Sequence, residues 1–327
     1  MTELQTLAAA LRESRGFRHK RDISAVLDRL EKVAGPGAVP NGDDCAVLPD
    51  PGGNGHLLFA IEGLVQDFVE AMPWFAGYSA VMVNLSDIAA MGGRALAVVD
   101  ALWSSGEAQA HELLAGMRAA SQRYGVPLVG GHTNLQSASA QLAVSVLGHA
   151  KRLISSFAAR PGDTLLMAVD LRGQWQEPYP FWNASTMAPP ERLRQDLALL
   201  PALAEAGLCD AGKDISMAGV LGSLLMLLEC SDIGAEVNLD RLPAPPGSTD
   251  AAGRLRWLSS FPSFGFVLSV RPERAKEVQA KFAAREIDCA AIGQVVTGHR
   301  LSVRLGAEQA QLWDLGDEPF IGAGSHG

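Results

Sequence analysis

Asn84-Leu85-Ser86-Asp87-Ile88-Ala89-Ala90-Met91-Gly92 closes a segment, Ser79 to Met91, in which nearly every residue is apolar or small. A helix that is apolar on most of its circumference is a buried helix. Asn84 and Asp87 stand three residues apart and share one face of it, with Met91 one turn further on. A carboxylate in that setting needs a partner, because an unpaired buried charge is costly. Asp87 therefore either caps or pairs within the fold, or ligates a cation.

Upstream, Asn41-Gly42-Asp43-Asp44-Cys45-Ala46-Val47-Leu48 sets two adjacent carboxylates after a glycine turn and before a short apolar strand. Mg²⁺ takes oxygen ligands, commonly one or two carboxylates together with phosphate oxygens. The Asp43-Asp44 turn suits that task at a strand edge. Its bland reading is an exposed turn, where Asp is common.

The 327 residues are 48% hydrophobic and 19% charged, which predicts an ordered globular chain with room for two domains. A formal net charge of −9 argues against a nucleic-acid partner. Cys45, Cys209, Cys230 and Cys289 form no CxxC pair, so buried free thiols in a reducing compartment are expected. Met1 to Arg15 reads as an amphipathic helix without a signal core. No apolar run is long enough to span a membrane, and a cytoplasmic protein is expected.

Alternation of strand-like and helix-like segments predicts an α/β chain. In the first half, strands are expected at Val47 to Leu48, Leu57 to Ile61, Ala95 to Trp103, Val126 to Val129 and Leu142 to Leu147. Between them Glu107 to Tyr124 reads as a helix, with Ser105 as N-cap and Gly125 past its end. In the second half, Thr164 to Val169, Phe266 to Val270 and Ala290 to Val296 read as strands. Glu191 to Ala206, Met217 to Glu229 and Pro272 to Ala284 read as helices. The boundary falls near Ser155 to Ala159, giving domains 1–157 and 158–327, and the glycine-rich tail after Pro319 is expected to fray.

Further constellations could carry chemistry. Gly130-Gly131-His132-Thr133-Asn134 reads as a turn whose main chain approaches a phosphate, or as a tight hairpin. Lys213-Asp214-Ile215-Ser216 precedes a helix start, a natural phosphate site, although Ser216 also reads as an ordinary N-cap. Gly16 to Asp22 is basic and flexible-looking, and Lys20 within it could close over phosphates or simply be solvated. Trp175, Tyr179, Phe181 and Trp182 crowd one loop, as a substrate wall, a dimer contact or a hydrophobic plug.

Taken in order, these segments resemble the superfamily of aminoimidazole ribonucleotide synthetase, and thiamine-monophosphate kinase within it most of all. Gly42 to Val47 resembles its first metal motif, Asn84 to Gly92 its Asn-Leu-Ser-Asp helix, and Arg160-Pro161-Gly162-Asp163 the turn opening its second domain. Asp214-Ile215-Ser216 is similar to the start of its Asp-Ile-Ser-Asp-Gly motif, with Met217 at the second Asp. Ile61-Glu62 stands where the kinase has Thr-Asp, and Gly130-Gly131-His132-Thr133 is nearer the selenophosphate synthetase pattern.

The resemblance implies two mixed α/β domains and a homodimer paired through its amino-terminal sheets, with ATP and Mg²⁺ near that pairing. Asp43, Asp44, Glu62, Asp87 and Asp214 are the implied metal ligands. Asn84, Gly130, Gly131, Thr133, Ser216 and Lys20 are the nucleotide contacts, and His132 and Asp214 the catalytic candidates. The leading expectation is phosphoryl transfer from ATP to a small metabolite, which rests on positioning and charge neutralisation. The alternatives are a cyclo-ligase or dehydratase acting through a phosphorylated carbonyl or amide, and a nucleotide-binding subunit without turnover.

Overall fold

The computed structural model describes residues 2–27 and 40–323. The chain divides into two compact units, one made of Met1–Asp43, Ile154–Thr186 and Ala206–Gly327, the other of Asp44–Leu153 and Met187–Glu205. Each mixes strands and helices. In chain order the first unit opens with α1 (Glu3–Arg12) and α2 (Arg15–Leu27). The second contributes β1 (Ala46–Pro49), β2 (His56–Gly63), α3 (Gln66–Ala71), α4 (Pro73–Ala90), β3 (Arg94–Trp103), α5 (Glu107–Tyr124), β4 (Leu128–Asn134) and β5 (Gln141–Ala150). Next come β6 (Thr164–Val169), β7 (Gln174–Trp175) and β8 (Phe181–Asn183) of the first unit, and α6 (Pro190–Leu197) and α7 (Leu199–Glu205) of the second. The first unit finishes with β9 (Ala211–Asp214), α8 (Gly219–Cys230), β10 (Gly234–Asn238), α9 (Ala251–Leu258), β11 (Phe261–Pro262), β12 (Gly265–Val270), α10 (Pro272–Ala283), β13 (Asp288–Val296), β14 (Arg300–Leu305) and β15 (Glu308–Asp314).

The amino-terminal sheet has five strands in the order β1-β2-β5-β3-β4. β3 and β4 run parallel across the α5 connection, and the other pairs are antiparallel. Strand alternation gives the sheet two different faces. Leu58, Val98, Leu102, Leu142, Val144 and Val146 are buried on one of them. α4 packs onto the sheet and against α5. Two glycines permit the close helix contact: a Cβ at Gly77 would overlap the Leu113 carbonyl oxygen, and one at Gly116 that of Trp74. The other sheet face is open, and Leu48, Phe59, Ile61, Val99 and Leu147 are exposed there.

The first unit is built on a seven-stranded sheet ordered β15-β14-β10-β13-β6-β12-β9. α8, whose twelve residues are all buried, is the centre of its core. The three short strands β11-β8-β7 form a separate small sheet.

Several expectations are corrected. The basic stretch from Gly16 is regular helix α2, because Phe17 anchors it: its ring is fully buried, 5.3 Å from Phe320 and 6.3 Å from Trp313. Gly130 to Asn134 is no turn; it pairs with β3 through Asn134. α5 is capped by Gly106 rather than Ser105, and ends at Gly125 with φ of 75° as expected. The helix expected over Glu191 to Ala206 is two helices broken at Ala198. The tail does not fray through Gly322. Phe320 and Ile321 are buried, and the Glu229 carboxylate accepts N–H bonds from Phe320, Ile321 and Gly322 at 2.8, 2.7 and 3.1 Å; 324–327 lie outside the described residues.

Candidate functional site

α4 positions the acid the sequence singled out. Asp87 is 7% exposed, and a carboxylate oxygen of Asp44, in the turn before β1, lies within 4.8 Å of one of its own. Two carboxylates that close repel unless a cation or proton is shared. A hard, all-oxygen donor pair of this kind fits Mg²⁺, which accepts one or two carboxylates and fills its remaining positions with water and phosphate oxygens. Asn84 lies one turn before Asp87 and is fully buried, its Nδ2 donating to Ala80 O at 2.7 Å and to Val144 O at 2.9 Å. Val144 belongs to β5, so the helix is tied to the centre of the sheet.

Register places Glu62, Val144, Asp100 and Gly131 in one row across β2, β5, β3 and β4. Residues directly opposite on paired strands share a face, so Glu62 and Asp100 point to the same side as buried Val144. A Cβ on Gly131 would overlap Asp100 Oδ1, so the carboxylate lies across the glycine. Gly131 is thus spoken for by a side chain, whereas Gly130 has nothing within 4 Å of where its Cβ would be. Burial, the largest influence, pushes the Asp100 carboxyl above its ordinary range, against a hydrogen bond from its own backbone. Asp100 was not singled out in the sequence, although an Asp inside the apolar run Ala97-Val98-Val99-Asp100-Ala101-Leu102 breaks the strand pattern and is its detectable signal.

His132 pairs with Ala101 and takes the opposite, open face, where its ring centroid is 5.9 Å from that of Trp103. Thr133 follows on the same exposed edge strand. Within the amino-terminal unit, His132 and the Asp44–Asp87 pair therefore belong to different sides of the sheet.

The remaining candidates lie in the other unit. The Asp43 carboxylate accepts from Ser155 Oγ at 2.6 Å, from Ser156 Oγ at 2.8 Å and from the Ser156 N–H at 3.1 Å. Asp214 ends β9 and is 4% exposed, beside Lys213 at 3%. Ser216 is not the N-cap of α8; Ala218 is. The Ser216 N–H donates to Ser223 Oγ at 2.9 Å, and its own Oγ is buried with no hydrogen-bond partner. Lys20 lies on α2. Of the aromatic loop, Trp175 and Trp182 join Trp257 in a cluster with centroids 5.3 to 6.1 Å apart, sealed by the Arg256 guanidinium 4.0 Å above Trp175. Trp182 is buried in that cluster, while Tyr179 and Phe181, both half-buried like Trp175, stack on each other at 5.4 Å. Among the described residues, no helix is long and apolar enough to cross a membrane.

The family model for the AIR synthase related protein N-terminal domain matches residues 42–150, and that for the C-terminal domain matches 162–306. An uncharacterized protein of Synechocystis sp. is 47% identical over 322 residues, covering 98% of each chain. The chain belongs to the AIR synthase related family. The thiamine-monophosphate kinase of Synechococcus elongatus is 29% identical over 294 residues, covering 82% of this chain and 87% of that one. The structure of Thermotoga maritima PurL complexed with ATP superposes with a TM-score of 0.74 at 20% identity, over 99% of this chain and 53% of that one. Likeness to the kinase is thus present without being set apart from the rest of the AIR synthase related family, which corrects the closer kinship expected from the motifs.

Proposed function

We propose that this AIR synthase related protein binds a magnesium–ATP complex and uses it to activate a carbonyl or amide oxygen of a small metabolite, as a ligase or dehydratase does. The carrying observation is the approach of the Asp44 and Asp87 carboxylates to within 4.8 Å on a buried helix and its neighbouring turn. The superposition on a PurL described as complexed with ATP supports the nucleotide, and membership of the AIR synthase related family supports the synthase-type reaction. Asp44 and Asp87 hold the cation, which supplies charge neutralisation for the phosphates. Glu62 reaches the same face of the sheet. Asp214, Ser216 and Lys20 are assigned to the nucleotide on their sequence motifs, and Asp43 orders the metal turn through its serine bonds.

The open sheet face carries the second part of the proposal. Phe59 is 48% exposed, Ile61 65% and Leu147 40%, a contiguous apolar surface of the kind that marks an interface. A second copy covers it, and His132 and Gly130, on that face of β4, act at that junction, while Thr133, opposite Leu102, is assigned to the nucleotide from the α4 side.

Phosphoryl transfer to an acceptor hydroxyl is the competing reading, favoured by the 29% identity to a thiamine-monophosphate kinase. Calorimetry with Mg²⁺ and a non-hydrolysable ATP analogue tests the shared part. The wild-type chain binds, and Asp87→Asn binds at least about tenfold more weakly. Equal affinity in the two removes the carboxylate pair from the proposal. With γ-labelled ATP and a metabolite pool, label in free phosphate supports activation, label on a metabolite supports transfer, and binding without ADP release supports a non-catalytic subunit.

A further inference from the structure

Strand β3, next to the edge of the five-stranded sheet, holds an acid that the Asp44–Asp87 pair does not use. Asp100 stands on β3 between Val98 and Leu102, which are 1% and 0% exposed. Such a position asks for an apolar side chain. Its Oδ2 is buried and has no hydrogen-bond donor. Leaving a buried acceptor without a donor is destabilising, so a carboxylate at this position needs a reason outside packing.

A second, independent observation supplies it. Asn84 is 0% exposed, and its Nδ2 is held by two acceptors, Ala80 O and Val144 O. Two acceptor partners fix which end of the amide is nitrogen. The other end, Oδ1, is therefore an acceptor, and it too is buried without a donor. Val144 is common to both residues, hydrogen-bonded by Asn84 and paired in register with Asp100. Two electron-rich oxygens thus border one residue, and no described residue donates to either. The Asp100 carboxylate lies across Gly131 of the neighbouring β4, an edge strand with residues 129–134 exposed.

We propose that Asp100 Oδ2 and Asn84 Oδ1 are protein ligands of a divalent-cation site distinct from the Asp44–Asp87 pair. One carboxylate and one amide oxygen are donors that Mg²⁺ and Mn²⁺ accept, with water or an anionic ligand completing the shell. The site stands on its own two residues, whether or not the Asp44–Asp87 pair binds metal.

Mn²⁺ titration of the full chain without nucleotide, followed by the electron paramagnetic resonance of free Mn²⁺, tests it. Two classes of bound ion are expected in the wild type. Asp100→Asn, which keeps shape and loses the charge, weakens one class by about ten- to hundredfold. Asp87→Asn weakens the other and leaves the Asp100 class in place. A shift of thermal midpoint with Mn²⁺ is measured alongside, for Asp100→Asn and for Asp100→Ser in case either folds poorly. The wild type gains more from Mn²⁺ than both variants. Identical Mn²⁺ binding in wild type and Asp100→Asn overturns the site, as does a single class abolished by Asp87→Asn alone. No Mn²⁺ binding in the wild type overturns this site and the Asp44–Asp87 reading together.

Discussion

Asn84 on α4 donates to the main-chain oxygen of Val144 on β5 at 2.9 Å, a helix-to-sheet bond at the centre of the amino-terminal unit. One turn later on the same helix comes Asp87, so this bond sets the depth and rotation at which the carboxylate faces Asp44. Asn84→Leu fills the space but leaves the Val144 oxygen without that donor. A lost buried bond of this kind costs about 1–3 kcal/mol. Urea denaturation should show the loss, and affinity for a magnesium–nucleotide should fall with it. Full retention of both would mean that the bond is incidental.

Gly131 and Asp100 should behave as a unit. A methyl group at Gly131 overlaps the Asp100 carboxylate, so Gly131→Ala forces that side chain away and destabilises the sheet. In an Asp100→Ala background the carboxylate overlap is gone, and only the main-chain oxygen of residue 100, 2.8 Å from the added methyl, has to give way. The coupling energy expected for residues in contact is about 0.5–3 kcal/mol. A double-mutant cycle in denaturant measures it, and strict additivity would show that the glycine answers to some other neighbour.

How much of this was legible follows the type of signal. Helix α4 could be read because apolar residues surround it on every side, and Asp87 stood out against them. Asp100 carried the same kind of signal in a strand but was surrounded by a weaker pattern. Gly130-Gly131 looked like a turn because glycine and asparagine punctuate loops; pairing with β3 overrode that preference. The tail beyond Pro319 looked frayed because its anchor is Glu229, ninety-one residues away from Phe320, and no local rule reports such a partner. Likewise the basic run of α2 hid its one informative residue, Phe17, whose partners Trp313 and Phe320 are at the far end of the chain.

Two cysteines give a pH signature. Burial pushes the Cys209 and Cys289 thiols from an ordinary value of 9.0 up to about 12. Both therefore stay protonated in the folded chain at pH 8 and should resist alkylation until denaturant is added. The unfolded chain releases these protons near pH 9 and the folded chain only near 12. Stability should accordingly fall as pH rises through that interval, and Cys209→Ala, Cys289→Ala should flatten the fall. Rapid labelling of either thiol in the native protein at pH 8 would contradict this account.

Glu229 is the anchor of the carboxy-terminal segment, through N–H bonds from Phe320, Ile321 and Gly322. Charge-assisted bonds of this type contribute about 1.5–3 kcal/mol each when measured by deletion. Glu229→Gln keeps the shape but loses the charge and one acceptor oxygen. It should loosen the segment, and with it the Phe17–Phe320 contact that holds α2. Limited proteolysis is expected to clip the variant near Phe320 while the wild type resists. Equal cutting rates would leave Glu229 without that role.

The open face of the amino-terminal sheet makes the last prediction. Ile61 is 65% exposed and Phe59 48%, next to Leu147 at 40% on the adjacent strand. Uncovered β-branched and aromatic side chains in register invite a second sheet, and a monomer rarely leaves so much contiguous apolar surface in water. If a second copy covers the face, light scattering of the 34.5 kDa chain should report twice that mass. Ile61→Asp then places a charge in the middle of the contact, where desolvation without a partner is prohibitive, and should give the single-chain mass with the fold retained by circular dichroism. Because Ile61 points away from α4 and the Asp44–Asp87 pair, metal binding at that pair should survive in the dissociated protein. A wild-type chain that is monomeric at high concentration, or an Ile61→Asp chain that keeps the doubled mass, would rule this surface out as the contact between copies.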